Sequence, residues 1–329
     1  MKKKLFTIFM LTMSFFSLSF AKVITVDNKY PYPADYKTLQ EAHDNANDGD
    51  DIYLSPSPIK YNGINVTKRL NIYGVGFEIT DYIGEPFTQT AMITGTIIFN
   101  ANSEGSTIIG VDGNFNIHIH TENITVKRCS IYKIEITEDG AHNGSGSSIV
   151  QNKIISGGAA INMDNSISNI LIYNNYFECN WNTCIFVQSY ATVQDISIYN
   201  NVFAGTSTKI PSIIYSRFIN NIIVHGSSGS PNGTIFNYNM SHGDLPEGYR
   251  NLTNVDMSTV FEENSYHLKA DSPAKGSGEN GADMGMYGGD MPFVDGGFPA
   301  LPSILQIEAP KIGSKSGGIE VKFNVKSNN

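Results

Sequence analysis

Hydrophobic and polar positions alternate along most of this chain in short runs that return at a regular interval. Ile170-Leu-Ile-Tyr-Asn-Asn-Tyr-Phe177 comes back as Ile196-Ser-Ile-Tyr-Asn-Asn-Val-Phe203, more loosely as Ser216-Arg-Phe-Ile-Asn-Asn-Ile-Ile223, and in diluted form as Ile124-Thr-Val-Lys-Arg-Cys-Ser-Ile131. Alternation over about four to eight residues is the period of a strand. Its return every ~20 to 26 residues is the mark of stacked repeats. The runs Ile64-Asn-Val66, Leu70-Asn-Ile-Tyr73, Thr96-Ile-Ile-Phe99, Thr107-Ile-Ile109 and Asn116-Ile-His-Ile-His120 are equally brief. None is followed by a helical pattern long enough to cross a sheet, so the coils close by turns and their strands stack in parallel.

Aligning the coils gives a register. Ile124, Val150, Ile170 and Ile196 fall on an inward strand, Cys129, Lys153, Asn175, Asn201 and Asn221 at a turn, and Ile131, Ile155, Phe177, Phe203 and Ile223 inward again. An asparagine at a tight bend tolerates unusual backbone angles and can bond the same atoms one coil above and below. A second strand in each coil turns Ile117 and Ile119, Ile134 and Ile136, Ile161 and Met163, and Ile185 and Val187 inward. Its outward residues are then His118 and His120, Glu135 and Thr137, Asn162 and Asp164, and Phe186 and Gln188.

The ends break the pattern. Val23-Ile-Thr-Val26 reads as a first strand, and residues 36–46 place Tyr36, Leu39, Ala42 and Ala46 at helical spacing. Such a helix ahead of the first coil would cap the open edge of a solenoid. Residues 291–302 are rich in Gly and Pro and read as a linker, and 303–329 as a short β-hairpin.

Residues 1–21 read as a secretory signal: Lys2, Lys3 and Lys4, an apolar stretch to Phe20, and Ser19-Phe20-Ala21 for cleavage. There is no cysteine for a lipid anchor beside that site, so the expected destination is secreted or periplasmic. The chain carries 22 basic against 31 acidic residues, a net charge of −9, and loss of the leader lysines makes it more acidic still. That excludes nucleic acid and anionic membrane as natural partners, because both need clustered Lys and Arg. The three cysteines, Cys129, Cys179 and Cys184, are too few and odd in number for a disulfide framework. Cys179 and Cys184 could pair across a loop, while Cys129 reads as a small apolar filler.

Tyr36-Lys-Thr-Leu-Gln-Glu-Ala42, Gly49-Asp-Asp-Ile-Tyr-Leu-Ser-Pro56 and Leu70-Asn-Ile-Tyr-Gly-Val-Gly76 resemble the opening of pectin-lyase-like right-handed β-helix proteins. Tyr266-His-Leu-Lys-Ala-Asp-Ser-Pro-Ala-Lys-Gly276 and Gly281-Ala-Asp-Met-Gly-Met-Tyr-Gly-Gly289 resemble the closing segment of many secreted bacterial members. The resemblance, over residues 23–290, implies an all-β right-handed parallel β-helix with an N-terminal helical cap (22–63), coils at 64–290, a linker and a hairpin. It does not imply one activity, since that superfamily spans polysaccharide lyases, glycoside hydrolases and adhesins.

The outward strip is where chemistry is expected. Coils ~4.8 Å apart would align the imidazoles of His118 and His120, the carboxylates of Glu135 and Asp164, the amides of Asn162 and Gln188, and the Phe186 ring. His118 and His120 with Glu135 or Asp164 could hold a divalent cation such as Ca2+. As a glycan groove, the strip would offer Phe186 for stacking, helped by Trp181 from the Cys179–Cys184 loop, with amides and acids for sugar hydroxyls. Glu135 and Asp164 could also meet the carboxyl spacing of a glycosidase, ~5 Å or ~6.5–9.5 Å. The resemblance further implies, for a pectate lyase, an Arg or Lys with Ca2+-binding acids; Lys133, Lys153 and Arg128 lie near, but no compact Asp cluster does. Polygalacturonase-type motifs are absent except for isolated His225-Gly226 and His242-Gly243. The expectation is a secreted protein that binds or degrades an extracellular polysaccharide, with a non-catalytic envelope or adhesion protein as the alternative.

Overall fold

The computed structural model describes residues 21–29, 34–79, 89–163, 166–180, 183–187, 193–205, 208–209, 213–227, 233–310 and 318–326. Residues 1–20 of the expected leader, Asp164, Trp181 and Gln188 lie outside these. The regular structure of the described chain is almost entirely β, with few helical residues. Its strands collect in one ten-stranded sheet and two six-stranded sheets, parallel throughout. One coil shows the path: Thr125–Lys127 in the long sheet, Ser130–Ile131 in the second, Lys133–Ile136 in the third, then Ser148–Val150 beside Thr125–Lys127. Each crossover is thus made by strands of the other two sheets, an arrangement compatible with a parallel β-helix.

Identical faces stack from coil to coil and close a dry core. In the long sheet Val126, Ile149, Ile172, Ile198, Phe218 and Phe236 form one buried column in register. In the second sheet the Phe177 and Phe203 rings stack 4.9 Å apart with nearly parallel planes. Each such side chain contributes roughly 1.5–3 kcal/mol by leaving water. At the N-terminal end a helix, Leu39–Asn45, buries Leu39 and Ala42. It starts later than residue 36 because Thr38 is its N-cap: the Thr38 hydroxyl accepts from the Glu41 N–H, and Glu41 accepts from the Thr38 N–H.

The asparagine column is real but runs one residue earlier in one coil. The backbone N–H of Cys129 donates to Asn152 Oδ1 (3.0 Å), that of Asn152 to Asn175 Oδ1 (2.8 Å), that of Asn175 to Asn201 Oδ1 (2.9 Å), and the ladder continues through Asn221 and Asn239 to Asn251. Asn152, not Lys153, occupies the turn, so Ile154 points inward and Ile155 is exposed. The adjacent pair Ile154-Ile155 is apolar at both phases, so periodicity cannot choose between them. Asn152 decides, because only an amide there satisfies its neighbours' buried backbone groups. Likewise Val150 stands against Lys127 and Tyr173, three places past Ser147, which holds the position of Ile124, Ile170 and Ile196 in that coil. Cys129 heads the ladder as the expected filler, its thiol pushed up to about 12 by burial.

The residue before each ladder position turns the other way. Arg128, Gln151, Asn174, Asn200 and Asn220 all have positive φ, the left-handed conformation that asparagine accepts most readily after glycine. Their side chains grip a strap that runs back along the coils. Asn220 Oδ1 accepts from the Glu279 N–H, Asn200 Nδ2 donates to Asp283 O, Asn174 Nδ2 to Gly288 O, Gln151 Nε2 to Pro292 O and Arg128 Nη1 to Phe298 O. The 291–302 segment, expected as a linker, therefore lies against the coils, with Phe293 and Phe298 buried. Asp283 Oδ1 accepts from the Gly276 N–H and closes the strap's turn. Beyond the strap, Ser303–Glu308 pairs antiparallel with Lys322–Lys326. Ile319, Val321, Phe323 and Val325 there are exposed rather than packed on the last coils.

Candidate functional site

The third sheet carries the strip. Its register sets Ile98, His118, Glu135, Asn162 and Phe186 side by side, with Ile117, Ile119, Ile134, Ile136, Ile161, Met163 and Ile185 buried on the opposite face. Outward polar and inward aliphatic residues alternate because a strand's side chains do. His118 Nε2 lies 3.1 Å from Glu135 Oε2, and Lys133 Nζ lies 2.5 Å from Glu135 Oε1. The His118 and His120 rings are 6.0 Å apart, and His120 Nδ1 sits 3.1 Å from Asn100 Oδ1.

The three groups are partly buried, which sets their protonation. Burial lowers the His118 imidazole below its ordinary value, and the positive charges of His120 and Lys133 act the same way, outweighing the opposing pull of Glu135. For Glu135, burial works upward, but the hydrogen bond and charge of Lys133, with the imidazoles, hold its carboxyl below the ordinary value. At neutral pH the pair is a carboxylate beside a neutral imidazole. The short contact puts the ring proton on Nε2, donating to Glu135, and leaves the Nδ1 lone pair as the basic site. Next along the column, Asn162 Oδ1 is buried without a hydrogen-bond partner among the described residues.

His118 and Glu135 thus meet, and Asn162 and Phe186 extend the row. His120 is in the neighbouring row and turns to Asn100. Of the expected cation ligands, His118 Nε2 faces Glu135, His120 Nδ1 faces Asn100, and Asp164 lies outside the described residues. The donors that do gather are Glu104, Glu122 and His142, with His142 Nδ1 3.6 Å from Glu104 Oε1 and 3.4 Å from Glu122 Oε2. One imidazole and two carboxylates suit a zinc-like ion better than Ca2+, which takes oxygen ligands. The glutamates come from equivalent turns of successive coils, and the hairpin of Glu138–Asp139 with His142–Asn143 brings in the histidine. Cys179 and Cys184 form a disulfide, closing the loop in which Trp181 sits in sequence.

A second constellation, missed in the sequence, lies where the strap crosses the second sheet. A cleft of about 340 Å³ is lined by Tyr176 and Glu178 on the strand Tyr176–Cys179, by Tyr266 and His267, and by Tyr287 and Asp295 on the strap. Tyr176 and Tyr266 rings lie 4.9 Å apart, and His267 stacks on Tyr287 at 3.9 Å. His267 Nε2 is 3.0 Å from Asp295 Oδ2, the Tyr287 hydroxyl donates to Asp295 Oδ1, and the Tyr176 hydroxyl donates to Glu178 Oε2 at 2.9 Å. Burial, then Tyr266 and Glu178, drive the Tyr176 phenol far upward, so it stays protonated. At the cleft's edge Lys153 pairs with Glu78. The only sequence signal was the density of aromatic and acidic residues in the closing motif.

Among the described residues no helix is long and apolar enough to cross a membrane, and the disulfide is compatible with an oxidising, extracellular compartment. Compared with known proteins, the chain matches no protein-family model, no curated protein and no solved structure.

Proposed function

We propose that this chain is an exported right-handed parallel β-helix of the pectin-lyase-like type, capped by its N-terminal helix, and that it binds or cleaves an extracellular polysaccharide along the third sheet. One observation carries the reading: His118 and Glu135, with Lys133 reaching Glu135 from the neighbouring row, stand in an outward row that continues through Asn162 to Phe186. A polysaccharide laid across the coils would meet a proton acceptor and, two coils on from Glu135, a ring.

The chemistry follows from the protonation states. Glu135 orients His118 and stabilises the imidazolium formed when Nδ1 takes a proton. That proton could come from C5 of a uronic acid, with Lys133 or a bound cation offsetting the sugar carboxylate, or from a water attacking the anomeric carbon. Glu135, being ionised, does not serve as the general acid of a hydrolase; Asp164 is the remaining expected candidate for that role. A second reading, a non-catalytic envelope or adhesion protein, is favoured by the mutual pairing of Lys133, Glu135 and His118, which leaves the cluster balanced without a substrate.

The test is to incubate the protein with acidic and neutral polysaccharides, with and without Ca2+, and read reducing ends, unsaturated uronate absorbance and binding. Unsaturated product lost in His118→Ala supports elimination with His118 as base, and reducing ends alone support hydrolysis. Binding without cleavage reduces the role to recognition, and silence across the panel favours the structural reading.

A further inference from the structure

We propose that the cleft between the strap and the second sheet is a binding site for a protonated amino sugar, separate from the strip. Three features of the lining point to that ligand. The first is size: about 340 Å³ lies at the small end of ligand pockets, ~300–1,000 Å³, and suits a single pyranose with its substituents rather than a long chain.

The second is the wall. Tyr176, Tyr266, Tyr287, Phe77 and Phe293 all line the cleft. Phe77, Phe293 and Tyr176 are buried behind the surface, so the partly exposed Tyr266 and Tyr287 are the rings a ligand meets; such rings stack against the apolar face of a sugar and attract a cation through their negative π faces.

The third is charge. Glu78, Glu178 and Asp295 face the cleft against one lysine, Lys153. Lys153 is matched by Glu78, and Asp295 by His267 and the Tyr287 hydroxyl. Glu178 accepts from the neutral Tyr176 hydroxyl, and among the described residues no cation lies within ion-pair distance of it. A carboxylate flanked by tyrosines and lacking a counter-charge is complementary to an ammonium group; a uronate or a sulfated sugar would be repelled there. The polar residues are held from both sides, Glu178 by its coil strand and Asp295 by the strap, so the cleft is formed before a ligand arrives.

The experiment is titration calorimetry on the folded chain with glucosamine, N-acetylglucosamine, glucose and glucuronate at neutral pH. It is paired with NMR of the Tyr266 and His267 ring protons. Glucosamine should bind about tenfold more tightly than the other three and shift those ring protons. Glu178→Gln, which keeps the shape and hydrogen-bonding capacity, should abolish the preference, and Tyr266→Leu should weaken binding of glucosamine itself. Equal binding of glucose and glucosamine, a preference for glucuronate, no binding, or a preference that survives in Glu178→Gln would each overturn the proposal.

Discussion

The strip bearing His118 and the cleft bearing Glu178 stand on different sheets of the same coils, yet they are held together in different ways. His118, Glu135, Asn162 and Phe186 come from successive coils at one strand position, so the parallel register alone aligns them. The cleft joins Phe77 and Glu78, the coil residues Lys153, Tyr176 and Glu178, and residues drawn from between Ser265 and Gly296. No ladder connects these; the Asn174, Gln151 and Arg128 side chains tether the strap that brings them together. A periodic backbone therefore makes rows of like-placed groups, whereas an enclosed, chemically mixed pocket requires a segment that breaks the period and returns.

That difference can be broken or sharpened by substitution. The largest effect is expected where both regions share support. Phe177→Ala empties a fully buried, stacked position and should cost ~3–5 kcal/mol in chemical denaturation; a cost under ~1 kcal/mol would contradict the inward register. Next comes Asn174→Ala, which removes the buried donor to Met286 O and Gly288 O and places alanine at φ 53°. A loss of about 2 kcal/mol is expected, with faster amide exchange in residues 286–298 and unchanged His118 and His120 resonances. Disturbed strip resonances would show that the two regions are not independent.

His118→Ala and Glu135→Ala should each change stability by no more than ~0.5 kcal/mol, since both side chains point outward from the core; a large fall in melting temperature would mean the strip belongs to the folding core. The smallest effect is on pH dependence. His118 should titrate below 6.5, so between its folded and unfolded values the unfolded chain binds more protons and acidification destabilises the fold. Glu135, depressed below 4.5, adds stability that is present above that value and is lost only as pH falls below it. Melting temperature followed from pH 7 to 5 should decline less steeply in His118→Asn than in the parent; an identical decline would assign the effect to other groups.

The strip was legible because its spacing is purely local. Ile117-His118-Ile119 and Ile134-Glu135-Ile136 show their inward and outward faces on inspection, and one register rule sets them side by side. The Cys179–Cys184 pairing stayed open until their separation in space was known, and Ile154 and Ile155 could not be told apart by period. The cleft was invisible because nothing in Tyr176-Phe-Glu178 or Tyr287 to Asp295 says that they meet. Residues 291–302 carry the Gly and Pro of a linker; the same residues suit a strap that must follow the coils closely, as where the Phe77 N–H bonds Gly296 O at 2.7 Å.

By itself the sequence determined the β-rich, repeating build, the parallel stacking and the outward row of His118, Glu135, Asn162 and Phe186, because strand alternation and coil repeats are written in consecutive residues. Only the tertiary structure decided the phase of the asparagine ladder at Asn152, the pairing of Lys133 and His118 about Glu135, and the cleft under the strap. Each of these depends on hydrogen bonds or packing between residues distant in the chain, whose partners are chosen by the folded geometry and not by the local pattern.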